Sequence, residues 1–202
     1  PVVLKALGAR FNHKSERGLV RLNLTTTAHV GQAAREVAAE AGTDLEGFLV
    51  QPMLLGHREM VAGLFRDKQF GPVVMFGLGG VFTEALGDVV FRLAPLDDGE
   101  AAHMLHVLDS SALLGSFRGE AAADRDALVR TLTGLSRLAE EHPDVLEVDI
   151  NPLLITAKGR VTAVDALVVR GEAGRSGVDR PPVPPAEIGR IFHPRSVVVV
   201  GA

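Results

Sequence analysis

The chain has 202 residues, enough for one large domain or two small ones. Its 21 basic and 25 acidic side chains leave a formal charge of -4, which gives no electrostatic case for nucleic acid, and the absence of Trp and Tyr removes the usual stacking platforms for bases. Cysteine is absent, which excludes disulfides and thiolate chemistry and fits a reducing cytoplasm, and no apolar run reaches transmembrane length.

Pro1 to Ala6 predicts a strand with Lys5 at its end. Gly8 to Gly18 is polar and irregular and carries His13, and Leu19 to Leu24 alternates as a strand does. Val30, Ala33, Ala34, Val37, Ala38 and Ala41 recur at helical spacing, and Gly42 predicts the stop. A short strand at Phe48 to Val50 runs into Gln51-Pro52-Met53. Glu59 to Phe65 and Pro72 to Phe76 predict two apolar strands joined by a turn at Arg66 to Gln69. Asp88 to Leu96 reads as a further strand. Ala101, Leu105 and Leu108 mark a helix beginning near Asp97. Leu128, Leu132, Leu135 and Ala139 mark another, with Asp124 as N-cap and His142-Pro143 as its end. Residues 171–185 hold three Gly and four Pro and read as a linker. The segment from Ala186 leads into an apolar Val197 to Val200 run that reads as the start of a second domain. Pro1 rather than Met at the start, and a strand stopping at Gly201-Ala202, read as a fragment of a longer protein. Strands outnumber helices and hairpins outnumber crossovers, which predicts an α+β fold with a largely antiparallel sheet.

The most informative stretch is Glu147-Val148-Asp149-Ile150-Asn151-Pro152. Alternation puts Glu147, Asp149 and Asn151 on one face of a strand and Val148 and Ile150 on the other. Pro152 has no N–H to donate, so it is expected to stop the ladder. A second run, Val161 to Val169, follows a Lys158-Gly159 turn. A hairpin of the two runs brings Asp165 near Asp149 and Asn151. Such an oxygen-only set suits Mg²⁺, which keeps several waters and is usually shared with substrate phosphates.

Gly77-Leu78-Gly79-Gly80 ends an apolar strand. It reads equally as a tight turn or as a backbone that approaches an anion. It lacks the Gly-Lys-Ser/Thr of a phosphate-binding loop and the following helix of a dinucleotide fingerprint. Lys5 on its own reads as a surface lysine with a snorkelling stem, and His13 as a solvated loop histidine. The other histidines show no metal-ligand spacing.

Taken in order, these signals resemble the ATP-grasp domain of the nucleoside-diphosphate-forming acyl-CoA synthetases. The likeness runs through Val2-Val3-Leu4-Lys5, His13-Lys14-Ser15, Val50-Gln51-Pro52-Met53 and Gly56-His57-Arg58-Glu59. It is strongest from Asp67 to Glu84 and includes Phe91-Arg92-Leu93-Ala94-Pro95, Asp149-Ile150-Asn151-Pro152 and Asp165. The resemblance implies an ATP-grasp nucleotide-binding domain over residues 1–170, a linker at 171–185, and over 186–202 the first strand of a Rossmann-like CoA-binding domain. It implies that Lys5, Val50, Gln51, Pro52, Met53, Glu59, Gly77, Gly79 and Gly80 bind ATP. Asp149, Asn151 and Asp165 would hold Mg²⁺, and His13 would relay a phosphoryl group. The reaction implied joins a carboxylic acid to CoA with conversion of ATP to ADP and phosphate, through acyl phosphate and phosphohistidine. Implied partners are these small molecules and the phosphohistidine-bearing CoA-ligase domains of the same or a partner chain, with no nucleic acid and no membrane. Leu19 departs from the family, which has glycine there. The alternative is a nucleotide- and CoA-sensing regulatory module of a protein acyltransferase.

Overall fold

The computed structural model describes residues 1–8, 11, 18–56, 58–80, 87–172, 193 and 196. The chain divides into two units, residues 1–57 and 58–202, each with its own hydrophobic core. The expected linker and the start of the expected CoA-binding domain lie outside the described residues, apart from Gly171 and Glu172 and the isolated positions His193 and Ser196. Among the described residues no helix is long and apolar enough to cross a membrane.

The first unit is a three-stranded antiparallel sheet and one helix. Strand β1 (Val2–Leu7) lies between β2 (Val20–Leu24) and β3 (Gly47–Pro52). Helix α1 (Thr27–Ala41) starts where the Thr26 hydroxyl accepts from the His29 N–H, one of the donors a helix start leaves open. It stops at Gly42, which takes φ +62, a conformation glycine adopts at little cost. Alternation along β1 sends Leu4 and Ala6 into a cluster with Phe11, Leu19, Val37 and Ala41. Leu19 is 1% exposed, and its carbonyl accepts from the Ala6 N–H at 3.0 Å. The departure from glycine at this position is therefore explained by packing, while Gly18 beside it keeps the positive φ.

The second unit is built on β4 (Arg58–Asp67), β5 (Gly71–Leu78), β6 (Val89–Leu93), β7 (Val145–Ile155), β8 (Val161–Ala163) and β9 (Ala166–Arg170). The sheet order is β6-β5-β4-β7-β8, β9 also pairs with β7, and every pairing is antiparallel. Helices α2 (Asp98–Val107) and α3 (Arg125–Glu141) cover one face. Met60, Ala62 and Leu64 of β4 point into that layer and meet the fully buried Leu128 and Leu132 of α3. The intervening residues Val61, Gly63 and Phe65 belong to the opposite face by the period-two rule. Both helix starts are as the sequence predicts: Asp97 accepts from Glu100 N–H and Asp124 from Ala127 N–H.

Two expectations are corrected here. The ladder does not stop at Pro152; β7 continues to Ile155. Against β4 the register passes from Ile150↔Ala62 to Leu153↔Met60, so Asn151 and Pro152 oppose the single residue Val61. That is a bulge, one of the few places a sheet tolerates a residue with no N–H. The Val161 to Val169 run is not one strand either. It breaks at Val164-Asp165, the stretch that faces the bulge.

Candidate functional site

The second unit collects its polar residues around that bulge. Asp149 pairs with Gly63 of β4 on one side and Leu167 of β9 on the other, and Glu147 pairs with Phe65. Asn151 donates its backbone N–H to the Asp165 carbonyl at 3.3 Å, and Val164 donates to the Pro152 carbonyl at 3.0 Å. The expected hairpin thus forms, turning through Gly159 at φ +80, and places Asp165 beside Asn151. Asp149 and Asp165 are half-buried and Asn151 is exposed. One Asp165 oxygen accepts from the Ala166 N–H at 3.0 Å.

The chemistry of this donor set is two carboxylates and an amide. Among the described residues no three His, Cys, Asp or Glu side chains converge into a metal cage. A full protein cage is the mark of Ca²⁺ or Zn²⁺; Mg²⁺ takes one or two carboxylates and keeps its waters. A pair of part-exposed carboxylates with an exposed amide fits the second pattern.

The glycine turn lies at the same end of β4. Gly79 donates to the Glu59 carbonyl at 2.8 Å, and a Cβ on Gly79 would come within 2.8 Å of the Met60 backbone. Gly80 takes φ +78, and a Cβ there would lie 3.0 Å from the Glu59 carboxylate. Gly77, still in β5, is pressed against Asp88 and Val89. Gly77 and Gly79 are thus required by close passage of the chain over itself, and Gly80 by its positive φ. The turn sets together the half-buried Glu59 carboxylate and a stretch of backbone without side chains.

In the first unit Lys5 is 5% exposed, so it does not snorkel. It pairs with Leu49 of β3, and Val3 pairs with Gln51, so Lys5 and Gln51 share the face opposite Leu4 and Ala6. Val50 and Pro52 belong to the other face, and Met53 follows, its N–H donating to the Pro1 carbonyl at 3.1 Å. A buried ammonium needs partners. His13 lies outside the described residues.

Two residues were not singled out from the sequence. Arg58 is 4% exposed at the start of β4, and Phe65 meets Phe91 edge-on at 6.1 Å on the sheet face opposite the helices. The signal for Arg58 was its parity with Met60 and Ala62, which puts it on the buried face of an apolar strand.

The model of the ATP-grasp domain family matches residues 1–169. The ADP-forming acetate–CoA ligase I of Archaeoglobus fulgidus is 40% identical over 177 residues, covering 85% of this chain and 26% of that ligase. The beta subunit of ADP-forming acetate–CoA ligase I of Pyrococcus furiosus is 37% identical over 174 residues, covering 84% of this chain and 75% of the subunit. Among solved structures, the Ca. Korarchaeum cryptofilum dinucleotide forming acetyl-coenzyme A synthetase 1, in complex with coenzyme A, Ca-AMPCP and HgCl+, matches with a TM-score of 0.79. It is 39% identical, with 85% of this chain and 76% of that chain covered. The chain therefore spans about a quarter of the Archaeoglobus ligase and about three quarters of the Pyrococcus beta subunit. With an antiparallel α+β architecture, a glycine turn over β4 and an oxygen-donor bulge on β7, the chain belongs to the ATP-grasp domain family.

Proposed function

We propose that this chain is the ATP-binding part of an ADP-forming acid–CoA ligase. The observation that carries the reading is the bulge at Asn151-Pro152, which sets Asp165 beside Asn151 on a domain similar to acetate–CoA ligases. Asp149, Asn151 and Asp165 hold Mg²⁺, which when bound neutralises charge on the nucleotide phosphates. Lys5 supplies a point charge to a phosphate, and Val50 to Met53 lie along the base. Glu59 and Gly77, Gly79 and Gly80 form the wall that approaches the nucleotide. His13 carries the phosphoryl group, because a neutral imidazole is a nucleophile near pH 7.

In the whole protein residues 1–170 are the ATP-grasp domain, 171–185 the linker and 186–202 the start of a CoA-binding domain. Substrates are ATP, CoA and a carboxylic acid or its acyl phosphate, and the phosphohistidine-bearing ligase domain lies in the same or a partner chain. The regulatory alternative drew on Leu19, which the first unit uses as core.

The test uses the full-length protein, with Mg-ATP titration and acyl-CoA formation measured side by side. Asp149→Ala, Asp165→Ala and Lys5→Ala are expected to weaken Mg-ATP binding by about ten- to a hundredfold each. His13→Ala is expected to abolish acyl-CoA formation and leave Mg-ATP binding intact. Normal turnover in His13→Ala, or unchanged binding in both aspartate variants, overturns the assignment.

A further inference from the structure

Strand β4 is held at both ends by an arginine that turns into the helical layer. Arg58 and Arg66 have the parity of Met60, Ala62 and Leu64, the residues that point into that layer. Arg66 donates to the carbonyls of Val145, Ala139 and His142, and so closes the C-terminal end of α3. Arg58 does something different. One terminal nitrogen donates to Leu113 and Gly115 at 3.1 and 3.0 Å, the other to Ala121 and Thr156 at 2.7 and 3.3 Å. Its Nε lies 3.1 Å from a Glu120 carboxylate oxygen, an ion pair by distance although the N–H is not aimed along it.

These acceptors come from three separate stretches: the end of the 3₁₀ segment at residues 109–114, the loop at 120–121, and the residue following β7. One planar group therefore gathers three stretches of chain around the first residue of β4. Its neighbour Glu59 has the opposite parity. The Glu59 carbonyl holds the Gly79 amide, and its carboxylate stands against Gly80. Gly79 passes close to β4: a Cβ added there would come within 2.8 Å of the Met60 backbone. Any displacement of Arg58 passes through one peptide unit to Glu59 and from there to the glycine turn. The Thr156 bond ties down β7 on the far side of the bulge as well.

We propose that Arg58 is a positioning residue for nucleotide binding: it fixes the Glu59 carboxylate and the Gly79-Gly80 turn without touching the ligand. The inference rests on the reading of Glu59 and the turn as part of the nucleotide site. Lysine keeps the charge at this position, but a single ammonium with three donors cannot serve four carbonyls on three stretches.

Arg66 supplies the control, since it sits on the same strand with the same kind of carbonyl bonding at the end away from the turn. In the full-length protein, Arg58→Lys and Arg66→Lys are both expected to lower the thermal midpoint. Only Arg58→Lys is expected to raise the Kd for Mg-ATP, by about tenfold, and to speed hydrogen exchange at the Gly79 amide. Equal Kd values in the two variants overturn the proposal, because a merely structural arginine moves both alike. If Arg58→Lys does not fold, the paired variant Arg58→Gln/Glu120→Gln takes its place; it removes both buried charges together, and the two N–H donors of one amide leave at most two of the four carbonyl bonds. An unchanged Kd and unchanged Gly79 exchange in that variant then overturn the proposal. Glu59→Gln separates the two layers of inference. If it binds Mg-ATP like the wild type, the nucleotide reading of Glu59 fails and Arg58's role with it; if it binds weakly while Arg58→Lys binds normally, Arg58 alone is wrong.

Discussion

Asp67 shows how one side chain can shape a turn and give it a pH dependence. One of its oxygens accepts from the N–H groups of Gln69 at 2.8 Å and Phe70 at 2.9 Å. Those bonds favour the ionised carboxylate and hold it below its ordinary value of 3.8. A group whose folded-state value is depressed adds stability that is complete above the unfolded value and disappears as pH falls through the folded one. Asp67→Asn keeps an acceptor oxygen and drops the charge. The expected outcome is a lower thermal midpoint than the wild type at pH 7, with the gap closing as pH falls below 3.8. A gap that widens in acid contradicts the assignment. Asp67 was placed in a turn from the sequence, but its bonds to two successive amides depend on a backbone path that a string of residue types does not define.

At the scale of elements, α3 was the most legible part of the chain. Leu128, Leu132, Leu135 and Ala139 carry the period, Asp124 caps the start, and His142 ends it. Here propensity, capping and burial agree, so local reading suffices. Asp124→Ala removes the acceptor for Ala127 N–H and is expected to cost about 1 kcal/mol, measured by denaturant unfolding. The hairpin of β7 was legible for the same reason, since the Gly159 turn and the alternation agree. The split between β8 and β9 was not: Val161 to Val169 is apolar and β-branched at both ends, and although Asp165 is a residue strands disfavour, the break there also faces the bulge on the partner strand, which the run itself does not reveal. Lys5 and Arg58 were misread or passed over because burial of a charge is decided by what the rest of the fold brings to it. Lys5 has the same identity whether it snorkels or is enclosed.

At the scale of the molecule, the chain keeps two cores that share no residue, and the candidate nucleotide residues are divided between the units, with Lys5 and Val50 to Met53 in one and the turn and bulge in the other. The bulge has a consequence for how this protein tolerates change in length. Just before it, the inward residues of β7 are the even ones, Val148 and Ile150; after it they are the odd ones, Leu153 and Ile155; the odd Val145 is inward too, beyond a separate register shift before Glu147. Removing either Asn151 or Pro152 would bring Ile150 and Leu153 to a spacing of two and leave one uninterrupted alternation from Val148 to Ile155. Most single-residue deletions inside a central strand turn every later side chain to the wrong face; here a deletion repairs the alternation instead. The variant lacking Pro152 is expected to fold with a cooperative melt and to lose Mg-ATP binding. A melt that collapses while deletion of a loop residue such as Gly119 is tolerated would show that the odd residue serves the fold. The expected result would make this position a surplus letter in the strand, kept for chemistry and dispensable for architecture.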